Sequence, residues 1–467
     1  MQPLDLSIII VFLLAMTVYG IWQGHTNRST GDYFLGGRNL PWIVAMLSIV
    51  ATETSVLTFV SIPGIAYRGD WTFLQLAMGY ILGRILVSAI LLPVYFKQGV
   101  SSIYEVIGKR FGKPMQKLSS IVFLITRILA DGVRFLATAV VVEAVTGWPM
   151  PVAVLIIGVV TLIYTLSGGI KTVVWLDSIQ FMLYLAGGVL TIGFILSSLD
   201  ADPASALLSL AREGKLRIIN TDTHLLSNPW AFFSAFAGGT LLSFASHGVD
   251  YMMVQRALGC KNLESAQKAM IGSGVFVFIQ FSVFLLAGSL IYLYLEGDLN
   301  VAKDREFATF IVSYLPPGLK GLLLAGVLSA AMSTLSSSIN ALASSTVTDL
   351  LGGKASLNQS RLISFVWAAI LIAIALGFDE SDNAIVILGL QIASFTYGGL
   401  LSLFLLSQSK KTFHPASLAA GLMTGMSSVF LLQYAGIAWT WYISFSLVIN
   451  ISTAFIVNLL LPARNQT

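Results

Sequence analysis

The sequence predicts an all-α membrane protein of about thirteen transmembrane helices. Of its 467 residues, 56% are hydrophobic and only 10% are charged, against about 25% charged in a soluble domain. The mean hydropathy is +0.84. Apolar windows of about 20 residues, the length that crosses a bilayer core, recur along the whole chain. The longest polar segment, Asp200 to Pro229, has room for a small helix but not for a domain.

The windows fall near 4–22, 40–66, 71–96, 116–146, 149–167, 174–199, 230–254, 268–295, 319–348, 361–377, 383–407, 414–434 and 438–461. The first, MQPLDLSIIIVFLLAMTVYGIW, has no basic leading segment and no small-residue cleavage site, so it reads as a retained span. Alternate loops hold about sixteen Lys and Arg against seven in the others, among them Arg28, Arg38, Lys97, Lys109, Arg110, Arg256, Lys261, Lys354, Lys410 and Arg464. The positive-inside rule then places the N-terminus outside and the C-terminus in the cytoplasm, in a plasma membrane of the bacterial inner-membrane type. The net charge of +4 is dispersed and forms no nucleic-acid-binding tract. The single Cys260 excludes an intrachain disulfide. With no HExxH or GxSxG motif and few His and Cys, an enzyme is disfavoured.

Two windows are interrupted. The second contains Ala51-Thr52-Glu53-Thr54-Ser55 and then Pro63-Gly64; the seventh contains Gly238-Gly239, Ser243, Ser246, His247 and Gly248. Polar breaks five spans apart point to an inverted-repeat transporter with its sites at the breaks. Simple kinks are the alternative.

From Gly321 to Asp349 an apolar helix becomes dense in hydroxyls, with Ser333, Thr334, Ser336, Ser337 and Ser338. At about 100° per residue, Ala330, Ser333, Thr334 and Ser337 share one arc, with Ser336 at its edge. Hydroxyl and carbonyl oxygens are the hard ligands a small cation takes. A tightly packed helix, its hydroxyls bonded back to carbonyls, would look the same.

Glu53, Arg84, Arg127, Asp131, Arg134, Glu143 and Asp177 all fall inside windows, where each needs a partner or water. Arg127, Asp131 and Arg134 are spaced to pair on one helix face. Pairing is one reading; in the other, an arginine is left over to fork onto a solute carboxylate. Glu53 has three readings: a solute ligand, a proton site, or the lock on an arginine such as Arg84. Asp177 is a helix-end charge or a cation ligand.

Four stretches resemble the sodium:solute symporter family, relatives of the sodium–glucose cotransporters, over essentially the whole length. Gly36-Gly37-Arg38-Asn39-Leu40-Pro41-Trp42 resembles the family's GGR-x-L motif before its first core helix. Tyr164-Thr165, Gly168-Gly169, Val174-Trp175, Asp177 and Gln180 match YT-x-x-GG…VxW-x-D-x-x-Q, with Ile170 and Thr172 departing from the commonest residues. His247-Gly248-Val249-Asp250 and Val254-Gln255-Arg256 resemble G-x-D-Q…VQR, with Tyr251 in place of the usual Gln. The run Ala330 to Asn340 is close to AAxMST-x-SS-x-xN.

The resemblance implies a LeuT-type five-plus-five inverted repeat in a single transporter domain. Residues 1–39 would be the leading helix and loop, 40–199 and 230–407 the repeats, and 408–467 two C-terminal helices. It implies a first sodium site from the carbonyls of Ala51, Thr54 and Ala330 with the hydroxyls of Ser333 and Thr334. A second would use Asp177, Ser333, Ser336 and Ser337, giving two sodium ions per cycle. Solute candidates are Glu53, Ser55, Thr58, Phe73, Gln75, Arg127, Arg134, Ser243, Ser246, His247 and Gln391. Ser243 and Ser246 stand where sugar-transporting relatives carry an amide or aromatic gate, which counts against glucose. The expected activity is sodium-driven import of a small carboxylate, amino acid or sugar-like solute by a membrane-embedded monomer. The rivals are a proton-coupled carrier using Glu53 or Asp131, and a solute sensor that does not transport.

Overall fold

Lipid offers no partner to backbone N–H and C=O groups, and a helix satisfies them within one segment. Helix accordingly lies under every apolar window of the chain. The computed structural model describes residues 2–25, 27–200, 202–301, 303, 305–377 and 385–461, without the side chains of Leu57, Val133, Ala137 and 385–394. The helices are α1 (Pro3–Gly24), α2 (Thr30–Leu35), α3 (Trp42–Glu53), α4 (Val56–Arg68), α5 (Leu74–Gln98), α6 (Tyr104–Phe111), α7 (Lys113–Thr146), α8 (Met150–Ser198) and α9 (Pro203–Arg212). They continue as α10 (Phe232–Gly248), α11 (Tyr251–Leu258), α12 (Leu263–Tyr294), α13 (Glu306–Tyr314), α14 (Leu319–Leu350), α15 (Leu357–Gly377), α16 (Ile385–Ser407), α17 (Pro415–Tyr434) and α18 (Tyr442–Leu460). Among the described residues there is no strand, only an isolated bridge between Leu40 and Cys260.

Among the described residues, eight helices are long and apolar enough to cross a membrane, and a ninth if α3 and Thr58–Arg68, bent by 65°, form one span. That is fewer than the expected thirteen crossings. The α7 helix has the length but carries Arg127, Asp131, Arg134 and Glu143. The windows at 149–167 and 174–199 fuse into the 49 residues of α8. A straight helix of that size would run roughly 74 Å, more than twice a bilayer core of about 30 Å. It is two helices across a kink at Gly169, whose φ of 59° and ψ of −160° suit glycine alone.

The loops gather at two ends. At one, Arg38 donates to the carbonyls of Gly99 and Val100, the Leu40 N–H to Gly259 O, and Arg110 to Ser409 and Lys411 O. At the other, Arg217 pairs with Asp70, Lys215 donates to Tyr67 O, and the Ala438 N–H to Leu226 O. Here N–H groups of His224 and Asn228 hold the partly exposed Asp222 carboxyl down at about 2. Its hydrogen bonds are therefore lost only as pH falls through that value. The small helix expected between 200 and 229 is α9.

Two helices need close contact. Gly79 and Gly83, four apart on α5, lie against α10, where an added Cβ would sit 2.3 Å from Phe236 O and 2.4 Å from Thr240 O. Small residues at that spacing let backbones touch. Burial singles out α14: 94% of its apolar window is buried against 28% for α1, so α14 is the axis of the bundle.

The N-terminus of α14 is capped from another helix. Asp5 of α1, fully buried, accepts the N–H groups of Gly318 and Gly321, each at 2.9 Å. Replacing such a cap costs about 1–2 kcal/mol. Asp5→Ala should therefore lower the melting temperature of the detergent-purified protein, whereas Asp5→Asn, which keeps an acceptor oxygen, should recover part of the loss.

Candidate functional site

The first break is made by the end of α3. Its last helical hydrogen bond runs from the Thr54 N–H to Val50 O at 3.0 Å. The carbonyls of Ala51, Thr52 and Glu53 thus lie beyond the ladder. Thr54 and Ser55 are extended, with ψ of 97° and 172°, before α4 begins. The α14 helix meets the break, with the Thr52 and Ser337 hydroxyls 3.1 Å apart. Ala330, Ser333 and Thr334 are buried on the same helix. Thr334 donates to Ala330 O at 3.2 Å and Ser336 to Ser333 O at 3.0 Å. This is the back-bonding of the packing alternative; it spends the hydroxyl protons and, at Ala330 O, a carbonyl lone pair as well. The hydroxyl lone pairs remain for a cation.

Asp177 is fully buried within α8 and is no helix-end charge. Its Oδ1 accepts from Ser333 at 2.7 Å, and its Oδ2 accepts from Ser48 at 2.6 Å and from Arg256 at 3.2 Å. Arg256 also donates to Ser48 at 2.8 Å and to the Ser337 hydroxyl. The predicted second set is therefore divided. Ser333 is on the Oδ1 side and Ser336 donates to the Ser333 carbonyl, while Ser337 is engaged by a guanidinium. Arg256, counted from sequence among loop charges, is instead wholly buried on α11.

Of the three readings of Glu53, the geometry shows the lock: it forms an ion pair with the fully buried Arg84, which also donates to Ser273 at 2.7 Å. His247 Nε2 lies 3.8 Å from the same carboxylate, and its Nδ1 is 2.9 Å from the Ser246 hydroxyl. Thr58 is partly exposed, and Ser55, two residues beyond Glu53, is buried.

Several solute candidates have structural work. Gln75 donates to Thr72 O and Trp230 O and accepts the Asn220 N–H, so it anchors the 217–232 loop. Ser243 donates to Tyr80 O at 3.1 Å. Phe73 packs between Trp230 and Phe281. Gln391 lies outside the described side chains.

Arg127 is likewise committed, 3.4 Å from Asp131 and 3.2 Å from Asp250, with Tyr397 donating to Asp250 at 2.6 Å. Its side chain is 1% exposed. Arg134 differs: it is 15% exposed, its nearest acid is Asp131 at 3.9 Å, and its Nη1 has no hydrogen-bond partner. Of the two arginines, Arg134 is the one left over.

The description of the sodium:solute symporter family matches residues 33–427. This chain belongs to the sodium:solute symporter family. Among its relatives, the sodium-coupled monocarboxylate transporter 1 of Xenopus laevis is 29% identical, covering 91% of this chain and 70% of that protein. The human sodium/iodide cotransporter is 26% identical, over 91% of this chain and 68% of the relative. The solved structure of a Na+-coupled sialic acid symporter, in a substrate-bound outward-open state, matches all of both chains with a TM-score of 0.88 at 23% identity, which shows the shared fold. The family is one of transporters, not enzymes.

Sequence reasoning left Ser48 and Tyr397 unnamed, and gave no partner to Asp250, read only within a family motif, or to Ser338, which donates to Asp131 at 2.6 Å. Ser48 and Thr52, four apart on α3, were a legible polar face; Asp250 and Tyr397 gave no periodic signal. For Gln75, the anchoring role predicts that Gln75→Leu speeds amide exchange at Asn220 while leaving solute affinity within about threefold of wild type. A tenfold loss of affinity with unchanged exchange would restore it as a solute ligand.

Proposed function

We propose that this symporter-family member couples inward sodium flow to import of a small organic solute carrying a carboxylate. The observation that carries this reading is Arg134, a partly exposed and under-partnered cation that shares Asp131 with Ser338 of α14. An Arg fork suits a carboxylate, and the relatives include transporters named for monocarboxylates and iodide, both anions. The solute would lie beside the Glu53–Arg84 pair, with Ser55, Thr58, Ser246 and His247 at its edges.

The first sodium would bind between the α3 break and α14, using Ala51, Thr54, Ala330, Ser333 and Thr334. A second would bind on the Oδ1 side of Asp177, with Ser333 and Ser336. Because Arg256 already neutralises Asp177, this ion would be the weaker of the two. Sodium stabilises the outward-open arrangement, solute then permits closure, and each raises the other's affinity by the same factor. The membrane potential adds about 2.3 kcal/mol per charge per 100 mV. Two sodium ions with one carboxylate carry net positive charge inward and so feel that drive.

The working architecture is the five-plus-five repeat over 40–199 and 230–407, with about thirteen crossings. The N-terminus lies outside the cell, and the basic loops at one end of the bundle fit a cytoplasmic face. A proton-coupled carrier is the less supported alternative, since Glu53 and Asp131 are both held in ion pairs.

In proteoliposomes, replacing sodium by choline at fixed pH should abolish solute accumulation; persistence would favour proton coupling. Ser333→Ala or Thr334→Ala should weaken sodium at least about tenfold and leave solute affinity at saturating sodium nearly unchanged. Asp177→Asn should bring the sodium Hill coefficient down towards one. Arg134→Gln should impair anionic solutes selectively in folded protein.

A further inference from the structure

At the end of the bundle that carries the basic loops, α3 and α12 leave a groove of about 470 Å³ on the lateral surface. Trp42, Glu264, Gln267, Lys268, Ile271 and Gly272 line it. On one flank, Gly272 meets α3 so closely that an added Cβ would lie 2.5 Å from the Met46 sulfur. On the other, Gln267 donates to Ser88 O of α5 at 2.8 Å, and Gly274 lies against Ile81 and Arg84 of α5. One face of α12 is thus left open between two helices.

Periodicity shows what that face carries. At about 100° per residue, Glu264, Lys268, Ile271, Val275 and Ile279 fall within an arc of about 80°. Val275 and Ile279 are exposed, as bilayer-facing residues should be. From Lys268 to Ile279 the helix rises about 16 Å, the depth of one leaflet in a hydrocarbon core about 30 Å thick. An apolar stripe therefore runs from the groove to the bilayer midplane, which is the path of one acyl chain.

At the mouth of the groove the chemistry changes. Lys268 donates to Glu264 at 2.7 Å, and both side chains are exposed. Trp42, exposed at the start of α3, marks the headgroup level. The pair has capacity to spare: the ammonium has three donors and uses one on Glu264, while the carboxylate keeps a second oxygen. A phospholipid head with both a phosphate and a primary ammonium answers both charges. Choline has no N–H to give to Glu264, and a glycerol head brings no cation to it.

We propose that this groove binds a phospholipid of the phosphatidylethanolamine class. Lys268 takes the phosphate, Glu264 the ammonium, and the stripe of Ile271, Val275 and Ile279 one acyl chain. Trp42 and the break at Glu53 lie at opposite ends of α3, so the lipid touches the broken span without sharing the ion and solute candidates. The site stands or falls separately from sodium coupling.

The test adds one phospholipid at a time to the purified full-length protein in detergent and follows thermal stabilisation against lipid concentration. The probes are the dioleoyl forms of phosphatidylethanolamine, phosphatidylcholine and phosphatidylglycerol. The ethanolamine lipid should reach half-maximal stabilisation at a concentration about tenfold below the other two. Glu264→Gln should erase its advantage over the choline lipid. Glu264→Lys, which sets two cations at the groove, should transfer the preference to the glycerol lipid. Equal midpoints for the three lipids on the wild type, or a wild-type preference for either other head, overturn the proposal. An ethanolamine preference that survives both Glu264 variants unchanged places the lipid elsewhere and overturns it as well.

Discussion

A carboxylate with no exposure to solvent, Asp177, is the charge around which this bundle is assembled. A buried acid is tolerated only when its lone pairs are met and its charge is opposed. Meeting that demand draws in Ser48 from α3, Ser333 from α14 and Arg256 from α11. Those are the helix that ends at the α3 break, the bundle axis, and the helix that follows the unbroken α10. The interaction that satisfies Asp177 therefore also fixes where broken backbone meets hydroxyl-bearing helix.

The other buried charges follow the same rule in a second group. Arg127 answers Asp131 and Asp250, and Asp250 in turn caps α11 through the Met252 N–H at 3.0 Å. Glu53 answers Arg84. Removing one member would strand an uncompensated charge in a low-dielectric interior, so these pairs serve mainly to hold the helices in register. Arg134 stands apart because its link to Asp131 is long and its side chain is partly open. The committed Arg127 and the partly open Arg134 are separated by about two turns of one helix.

The close contact of α5 with α10 shows how the walls can be near enough for this. Gly79 and Gly83 bring the backbones together, and Arg84, the next residue, reaches Glu53 across the break. A bulkier residue would push the guanidinium away from its acid.

Much of this was readable in the chain. Apolar windows located the helices because a lipid-facing segment must be continuously apolar, and the polar run at Ala51 marked a break because unwound backbone survives only where something buries or ligates it. The hydroxyl arc on α14 followed from helical periodicity. What periodicity cannot convey is which distant side chain answers a buried charge. That Arg256 reaches Asp177, that Gln75 anchors a loop, and that Arg127 is taken while Arg134 is open depend on contacts between residues far apart in sequence. The sequence by itself determined the helical membrane fold and the polar groups it must accommodate. Tertiary packing decided their pairing, because desolvated charges and lone pairs are satisfied through space and not along the chain.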